Sequence, residues 1–185
     1  LMNMTPKNII VVIDGAYAEY VTKNDYDKGF LLLDQFENLI FTRTFSKSYG
    51  LAGLRIGWSY SSAVVVDILN KVKGPFNTTL GSQEIAIEAI KDQKHINKVV
   101  NLNTEVKEWF EKELKALNIN TKPSVANFSF IETTIDQADK IANHLMNDGI
   151  VVRQLHSYKL PHCLRITIGT KSEMERTIES LKYLK

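Results

Sequence analysis

Apolar residues fall in short unbroken blocks through the first third of the chain and in spaced stripes through the rest. "NIIVVID" (8–14) has no polar alternation before Asp14, so it reads as a strand buried on both faces. "LIFTRTF" (39–45) and "LRIGWSYS" (54–61) read as two more strands. Between the first two, "DKGFLLLDQFEN" predicts a short helical turn. A β–connection–β order of buried strands points to an α/β sheet. "SSAVVVDILNKVK" (61–73) predicts a helix capped by Ser61 or Ser62 and stopped by Gly74-Pro75.

From about Gly81 to Leu117 the pattern becomes helical without a visible break. Val99, Leu102, Val106, Phe110, Leu114 and Leu117 recur at spacings of three and four. The lysines and glutamates from Lys107 to Lys115 between them predict a solvated face. "VANFSFIET" (125–133) alternates and reads as a strand. "TIDQADKIANHLMNDG" predicts a helix capped by Asp136 and ended by Gly149. "IVVRQL" (150–155) and "CLRITIG" (163–169) predict strands. "KSEMERTIESLKYLK" predicts a closing helix with Ser172 as cap and Glu175 as its capping-box partner. The back half is thus a β-α-β-loop-β-α unit, expected to form a small antiparallel α+β domain.

The chain has 185 residues, 44% hydrophobic and 24% charged, which allows one or two units with their own cores. A net charge of +2 leaves no broad electrostatic excess for coating nucleic acid. No apolar run is long enough to span a bilayer. "LMNMTPKN" lacks the regions of a signal peptide. A single cysteine, Cys163, cannot form an internal disulfide, and a cytoplasmic location is the expectation. Leu1, in place of an initiator methionine, points to a fragment.

Asp14 closes an apolar strand, at the end of an α/β sheet where ligands sit. Turn capping competes with a role facing a cationic ligand group. Lys47 follows a hydroxyl-rich strand and precedes a loop with Gly50, Gly53, Arg55 and Gly57. A solvated loop lysine is the plain reading of Lys47 alone. Together, a lysine, a strand-end aspartate and a serine–arginine phosphate site suit pyridoxal phosphate, which offers an aldehyde, a ring nitrogen and a phosphate. The four histidines show no metal-ligand spacing, and Cys163 reads as a small buried hydrophobe.

"DGAYAEY" followed by "TRTFSKSYGLAGLRIGW" resembles the signature of the fold-type I pyridoxal-phosphate aminotransferases. The tail "GIVVRQLHSYKLPHCLRITIGT" is similar to that of the histidinol-phosphate branch. The resemblance implies a large-domain sheet in residues 1–78, then a connecting helix and C-terminal small domain in 79–185. It implies that Lys47 bonds to the cofactor aldehyde and moves protons, that Asp14 pairs with the ring nitrogen, and that Tyr17 hydrogen-bonds the ring oxygen. Ser46 and Arg55, with Thr44 as a weaker candidate, would hold the cofactor phosphate. Arg165 would take the substrate carboxylate and Arg153 the phosphate of histidinol phosphate. Tyr20 is a candidate pocket wall, with core packing as the competing reading. The implied reaction is transamination between histidinol phosphate and 2-oxoglutarate in a cytoplasmic homodimer, without metal, nucleic acid or membrane.

Two departures stand out. Gly15 occupies a position where the family carries an acidic residue. The resemblance also covers only the C-terminal half of the family's length. The other half would supply a phosphate-binding turn, a residue stacking on the ring, an asparagine near the ring oxygen and a tyrosine reaching a partner subunit. The isolated chain is therefore expected to be weakly active or inactive, and to self-associate over uncovered sheet. An aromatic-amino-acid aminotransferase, a phosphothreonine-type decarboxylase and a catalytically dead self-associating fragment are the alternatives.

Overall fold

A computed structural model describes residues 1–26 and 30–184, divided into two compact units, Leu1–Asn97 and Lys98–Lys185. Asp27, Lys28 and Gly29, in the predicted turn "DKGFLLLDQFEN", and Lys185, in the predicted closing helix, lie outside the described residues. The sequence boundary was expected after residue 78; by contacts, 79–97 group with the first unit.

The first unit holds a three-stranded sheet of β1 (Val11–Asp14), β2 (Leu39–Thr44) and β3 (Gly57–Ser61), with β2 in the middle. β1 runs parallel to β2, so Asp14 lies beside Thr42; β3 returns antiparallel, with Gly57 beside Thr44. Both expected outer strands are shorter than their apolar runs. Asn38 donates to the carbonyls of Ile9 (2.7 Å) and Pro6 (3.4 Å), holding that segment outside the ladder. Residues 52–54 form a 3-10 turn instead of the start of β3. A short helix α1 (Phe30–Leu33) precedes β2, and Leu33, Leu39, Phe41 and Met2 make one core cluster. Helix α2 (Ala63–Val72) starts at Ser62, whose side chain accepts from Val65 N–H.

The predicted long helix is two: α3 (Leu80–Lys91) and α4 (Gln93–Ala116). The break has a local cause: Asp92 leaves helical geometry at ψ 68°, and its Oδ1 accepts from His95 N–H at 3.0 Å, starting the next helix. Along α4, Val106, Phe110 and Leu114 are buried as the stripe predicts, but Leu102 is 42% exposed. Lys107, expected on the wet face, is buried instead. Its ammonium donates to the carbonyls of Ser124 (2.6 Å) and Ala126 (3.2 Å), and desolvation pushes its pKa down.

The second unit is an antiparallel sheet of β4 (Thr121–Lys122), β5 (Phe128–Glu132), β7 (Leu160–Thr167) and β6 (Arg153–Leu155) in that order, with β4 added to the predicted set. One face packs Ile131, Leu164 and Ile166 against Val106, Phe110 and Leu114 of α4 and against helices α5 (Ile135–Asn147) and α6 (Lys171–Lys182). Gly149, at φ 75°, follows α5 in a left-handed conformation that favours glycine. The caps differ from expectation. Thr134, not Asp136, caps α5, and Thr170 with Glu173, not Ser172 with Glu175, forms the capping box of α6. Each true cap is the extended threonine just before the helix, whose oxygen accepts from a backbone N–H three residues on.

Thr170→Ala is therefore expected to cost the second unit about 1 kcal/mol in urea unfolding. Hydrogen bonds from the Thr170 backbone first, then its hydroxyl, lower the Glu173 pKa below the ordinary 4.5. A carboxyl lowered on folding contributes stability above its unfolded pKa and loses it as pH falls through its folded value. Glu173→Gln should flatten that acid-side decline; an unchanged pH profile would remove the capping box from the account.

Candidate functional site

Two sets of residues carry candidate chemistry, one in each unit. In the first unit, the parallel pairing of β1 and β2 brings Asp14 to the carboxyl end of the sheet. Asp14 Oδ1 accepts from Ala16 N–H (3.0 Å) and lies 3.5 Å from Thr42 Oγ1. Those bonds orient the carboxylate, and Asp14 is exposed, so it can meet a ligand. Three residues on, the half-buried Tyr17 ring lies 5.3 Å beneath Lys47 Nζ. That is within cation–π range and ties the segment after β1 to the segment after β2. Asp14, Tyr17 and Lys47 thus come from two stretches about 30 residues apart in sequence and meet at one sheet end.

Thr44 and Ser46 sit just before Lys47. Thr44 Oγ1 accepts from Ser46 N–H at 3.1 Å, turning the chain out of β2. Arg55 is exposed, and its Nη1 donates to Ala52 carbonyl at 2.9 Å. Its backbone is left-handed at φ 52°, a conformation that costs a non-glycine residue about 1 kcal/mol or more. Tyr20 is 6% exposed and counts with the buried residues. The loop glycines differ in role. Gly50 is left-handed at φ 70°, whereas at Gly57 a Cβ would lie 2.6 Å from the Arg43 carbonyl oxygen. Gly57 therefore serves close strand pairing, and Gly53 has open space around it.

Arg43 is the residue the sequence reading passed over. Strand β2 alternates buried and half-buried positions, and Arg43 shares the buried parity with Phe41 and Phe45. Its guanidinium lies 5.3 Å from the Phe41 ring, 3.8 Å from Glu19 Oε1, and donates at the outer limit of hydrogen bonding to the carbonyls of Gly15 (3.4 Å) and Thr42 (3.5 Å). A Cβ on residue 15 would sit 1.5 Å from Arg43 Nη1. Gly15 is thus the vacancy into which Arg43 folds, directly after Asp14. Glu19 and Arg43 also act on Tyr49, whose pKa is raised first by desolvation and then by Glu19, with Arg43 opposing. The signal in the sequence was a charged residue at an apolar parity, two residues after Phe41, the last apolar residue of the strand.

In the second unit, the two predicted arginines are direct cross-strand partners, Arg153 on β6 and Arg165 on β7. Side chains directly opposite share a sheet face, and like charges there repel. This is the face away from Ile131, Leu164 and Ile166, and Phe128 and Phe130 lie on it too. Arg165 stacks 5.1 Å from the Phe128 ring, and its buried Nε has no hydrogen-bond partner among the described residues. A facing pair of cations with an unsatisfied donor is suited to an anion.

The residues of the first set fit pyridoxal phosphate. An oriented carboxylate at a strand end matches a cationic ring nitrogen, an amine sits over an aromatic phenol, and the hydroxyls of Thr44 and Ser46 precede that amine in the chain, while the recorded hydrogen bond of the exposed Arg55 runs to its own loop. No helix among the described residues is long and apolar enough to cross a membrane.

Residues 1–181 match the family model described as aminotransferase class I and II. The histidinol-phosphate aminotransferase of Cereibacter sphaeroides is 39% identical over 181 residues, 97% of this chain and 50% of its own length. That of Rhodopseudomonas palustris is 41% identical over 180 residues, 95% and 49% of the two chains. The solved histidinol-phosphate aminotransferase of Sinorhizobium meliloti, in complex with pyridoxal-5'-phosphate, superposes with a TM-score of 0.87 at 28% identity, covering 97% of this chain and 51% of that one. The one from Clostridium acetobutylicum, at 17% identity, shares the fold with a TM-score of 0.88 over 98% of this chain and 56% of that one. This chain spans about half the length of the curated relatives it matches.

Proposed function

From the premise that this chain belongs to the class I and II aminotransferase family, we propose that it carries the catalytic lysine half of a pyridoxal-phosphate-dependent histidinol-phosphate aminotransferase. The observation that carries this reading is the meeting of Asp14, Tyr17 and Lys47 at the carboxyl end of the β1–β2 pair. When bound, pyridoxal phosphate supplies an aldehyde for amines and an electron-withdrawing ring. Lys47 is the amine nucleophile, and its Nζ then accepts and returns the substrate α-proton. Asp14, oriented by Ala16 N–H, would pair with the ring nitrogen. Tyr17 donates its hydroxyl to the ring oxygen. Ser46, Arg55 and Thr44 hold the phosphate, and Tyr20 backs the pocket from the core.

Arg165 takes the carboxylate of the amino acceptor, 2-oxoglutarate, and Arg153 the phosphate of the donor. The working enzyme is a cytoplasmic homodimer in this reading, completed by the family's other half. β1 is an edge strand with Val12 57% exposed, in keeping with a sheet that continues in the complete protein.

The arginine assignment is tested by ligand binding, which does not need turnover. Histidinol phosphate should raise the melting temperature of this chain, and Arg153→Ala should weaken its binding at least tenfold, or about 1.4 kcal/mol. Arg165→Ala should weaken 2-oxoglutarate more than histidinol phosphate. Equal binding of phenylalanine, or tighter binding of phosphothreonine, would move the reading to another reaction on the same scaffold.

A further inference from the structure

The face of the second unit that carries Arg165 holds a second cluster with no part in the reaction proposed above. Glu132 ends β5 and lies directly opposite Cys163 on β7, while Thr133 N–H donates to the His162 carbonyl at 3.0 Å. We infer that Glu132, His162 and Cys163 form a binding site for a divalent transition metal, with Zn²⁺ the best-matched ion. Their donor atoms all lie within 4.8 Å of one another.

Neighbours on a regular strand point to opposite faces, so His162 and Cys163 should not both reach one carboxylate. The ladder explains how they do. Pairing of β6 with β7 runs Arg153 to Arg165 and Gln154 to Leu164, then jumps to Leu155 with Leu160. Pro161, His162 and Cys163 are therefore skipped on the β6 side. An irregularity of this kind bends the strand and re-aims its side chains. The four histidines have no metal spacing along the chain, and the site arises from cross-strand pairing with this irregularity.

The donor chemistry selects the ion. A thiolate, an imidazole and a carboxylate suit Zn²⁺ in a tetrahedron, with water in the fourth place. Bonds of about 2.0–2.3 Å put tetrahedral donors roughly 3.3–3.8 Å apart, so the cluster must contract by about 1 Å. The Glu132–His162 pair, at 3.9 Å, is already near that spacing. Glu132 is also oriented from outside the cluster. Lys122 Nζ on β4 holds its Oε2 at 2.6 Å, and Oε1 faces His162. A fixed carboxylate with one oxygen anchored and one directed inward is the arrangement supporting groups give to metal ligands.

The Cys163 thiol is 1% exposed, and burial first and Glu132 second push its pKa up. Without metal it is a thiol. Binding breaks the S–H bond, forms a Zn–S bond and releases one proton to solvent, with no change of oxidation state. His162 and Glu132 are half-buried and provide the way in.

The test uses the 185-residue chain under a metal-free reductant. Titration with Co²⁺ should give a near-ultraviolet thiolate-to-metal band saturating at one equivalent. Zn²⁺ should abolish that band and compete with a chromophoric chelator. Glu132→Gln and His162→Ala should each weaken Zn²⁺ at least tenfold, and Cys163→Ser should remove the band. Glu132 and His162 are partly exposed, so their variants keep the test valid even where Cys163→Ser unfolds the unit, as circular dichroism would reveal. A wild-type chain without a thiolate band, or Glu132→Gln and His162→Ala variants that bind Zn²⁺ as tightly as wild type, would overturn the site.

Discussion

Replacing Lys47 with alanine is expected to abolish covalent capture of pyridoxal phosphate by this chain. Incubation with the cofactor, borohydride reduction and peptide mapping should place one reduced adduct on the peptide containing Lys47, and none there in Lys47→Ala. On the proposed reading, an enzyme spanning the relatives' full length should lose at least about 10³-fold in turnover from the same change, since the proposed nucleophile and proton carrier would be gone. The fold should survive. Lys47 is half-buried, and its recorded contact, the Tyr17 ring at 5.3 Å, is worth about 0.5–1 kcal/mol. An adduct spread over many surface lysines, or undiminished in Lys47→Ala, would return Lys47 to the status of an ordinary loop residue.

The second large effect is structural and falls on Arg43. Its side chain is 4% exposed and faces Glu19, which is 17% exposed and has an unpartnered buried Oε2 among the described residues. Arg43→Ala leaves the Glu19 carboxylate without its counter-ion and opens a hole beside Gly15. Breaking a buried pair from one side costs about 3–5 kcal/mol. Thermal unfolding followed in the first unit should show that loss, and Arg43→Met, which fills the volume without the charge, should recover only part of it. Gly15→Ala supplies the cross-check. Alone it forces the guanidinium aside, but in an Arg43→Ala background the two guanidinium contacts, at 1.5 and 2.7 Å from the added carbon, are gone while the Thr42 carbonyl at 2.9 Å stays. The two changes should be strongly non-additive. Simple additivity would mean that Arg43 does not occupy the Gly15 vacancy.

These two residues mark what could be read from the sequence. Lys47 announced itself because a lysine after hydroxyls and before glycines is hard to explain as packing. Most strands announced themselves because their apolar runs are short, and α2, α5 and α6 because their stripes are clean. Arg43 stayed hidden because its meaning depends on Gly15 and Glu19, which come beside it only when β1 pairs with β2. The break at Asp92 was hidden because isoleucines stand on both sides of it, at 85, 87 and 90 before and at 96 after, although an aspartate three residues before His95 was a capping signal. Lys107 looked solvated because composition cannot tell that two loop carbonyls await an ammonium. The caps of α5 and α6 were misplaced by two residues because several hydroxyl and acidic residues compete at each start, and only backbone geometry chooses among them. The facing of Arg153 and Arg165, like the gathering of Glu132, His162 and Cys163, is a property of register.

The skipped residues in β7 bear on how this sequence can change over time. Side chains alternate with a period of two, so whether Arg153 faces Arg165 is decided by how many residues the turn from β6 to β7 consumes. Adding or deleting one residue between 156 and 162 would swing one arginine to the opposite side of the sheet while altering neither arginine. On the proposed reading the length of that turn is part of what ligand recognition requires, and lineages that retain the paired arginines should tolerate substitutions there far more readily than insertions or deletions.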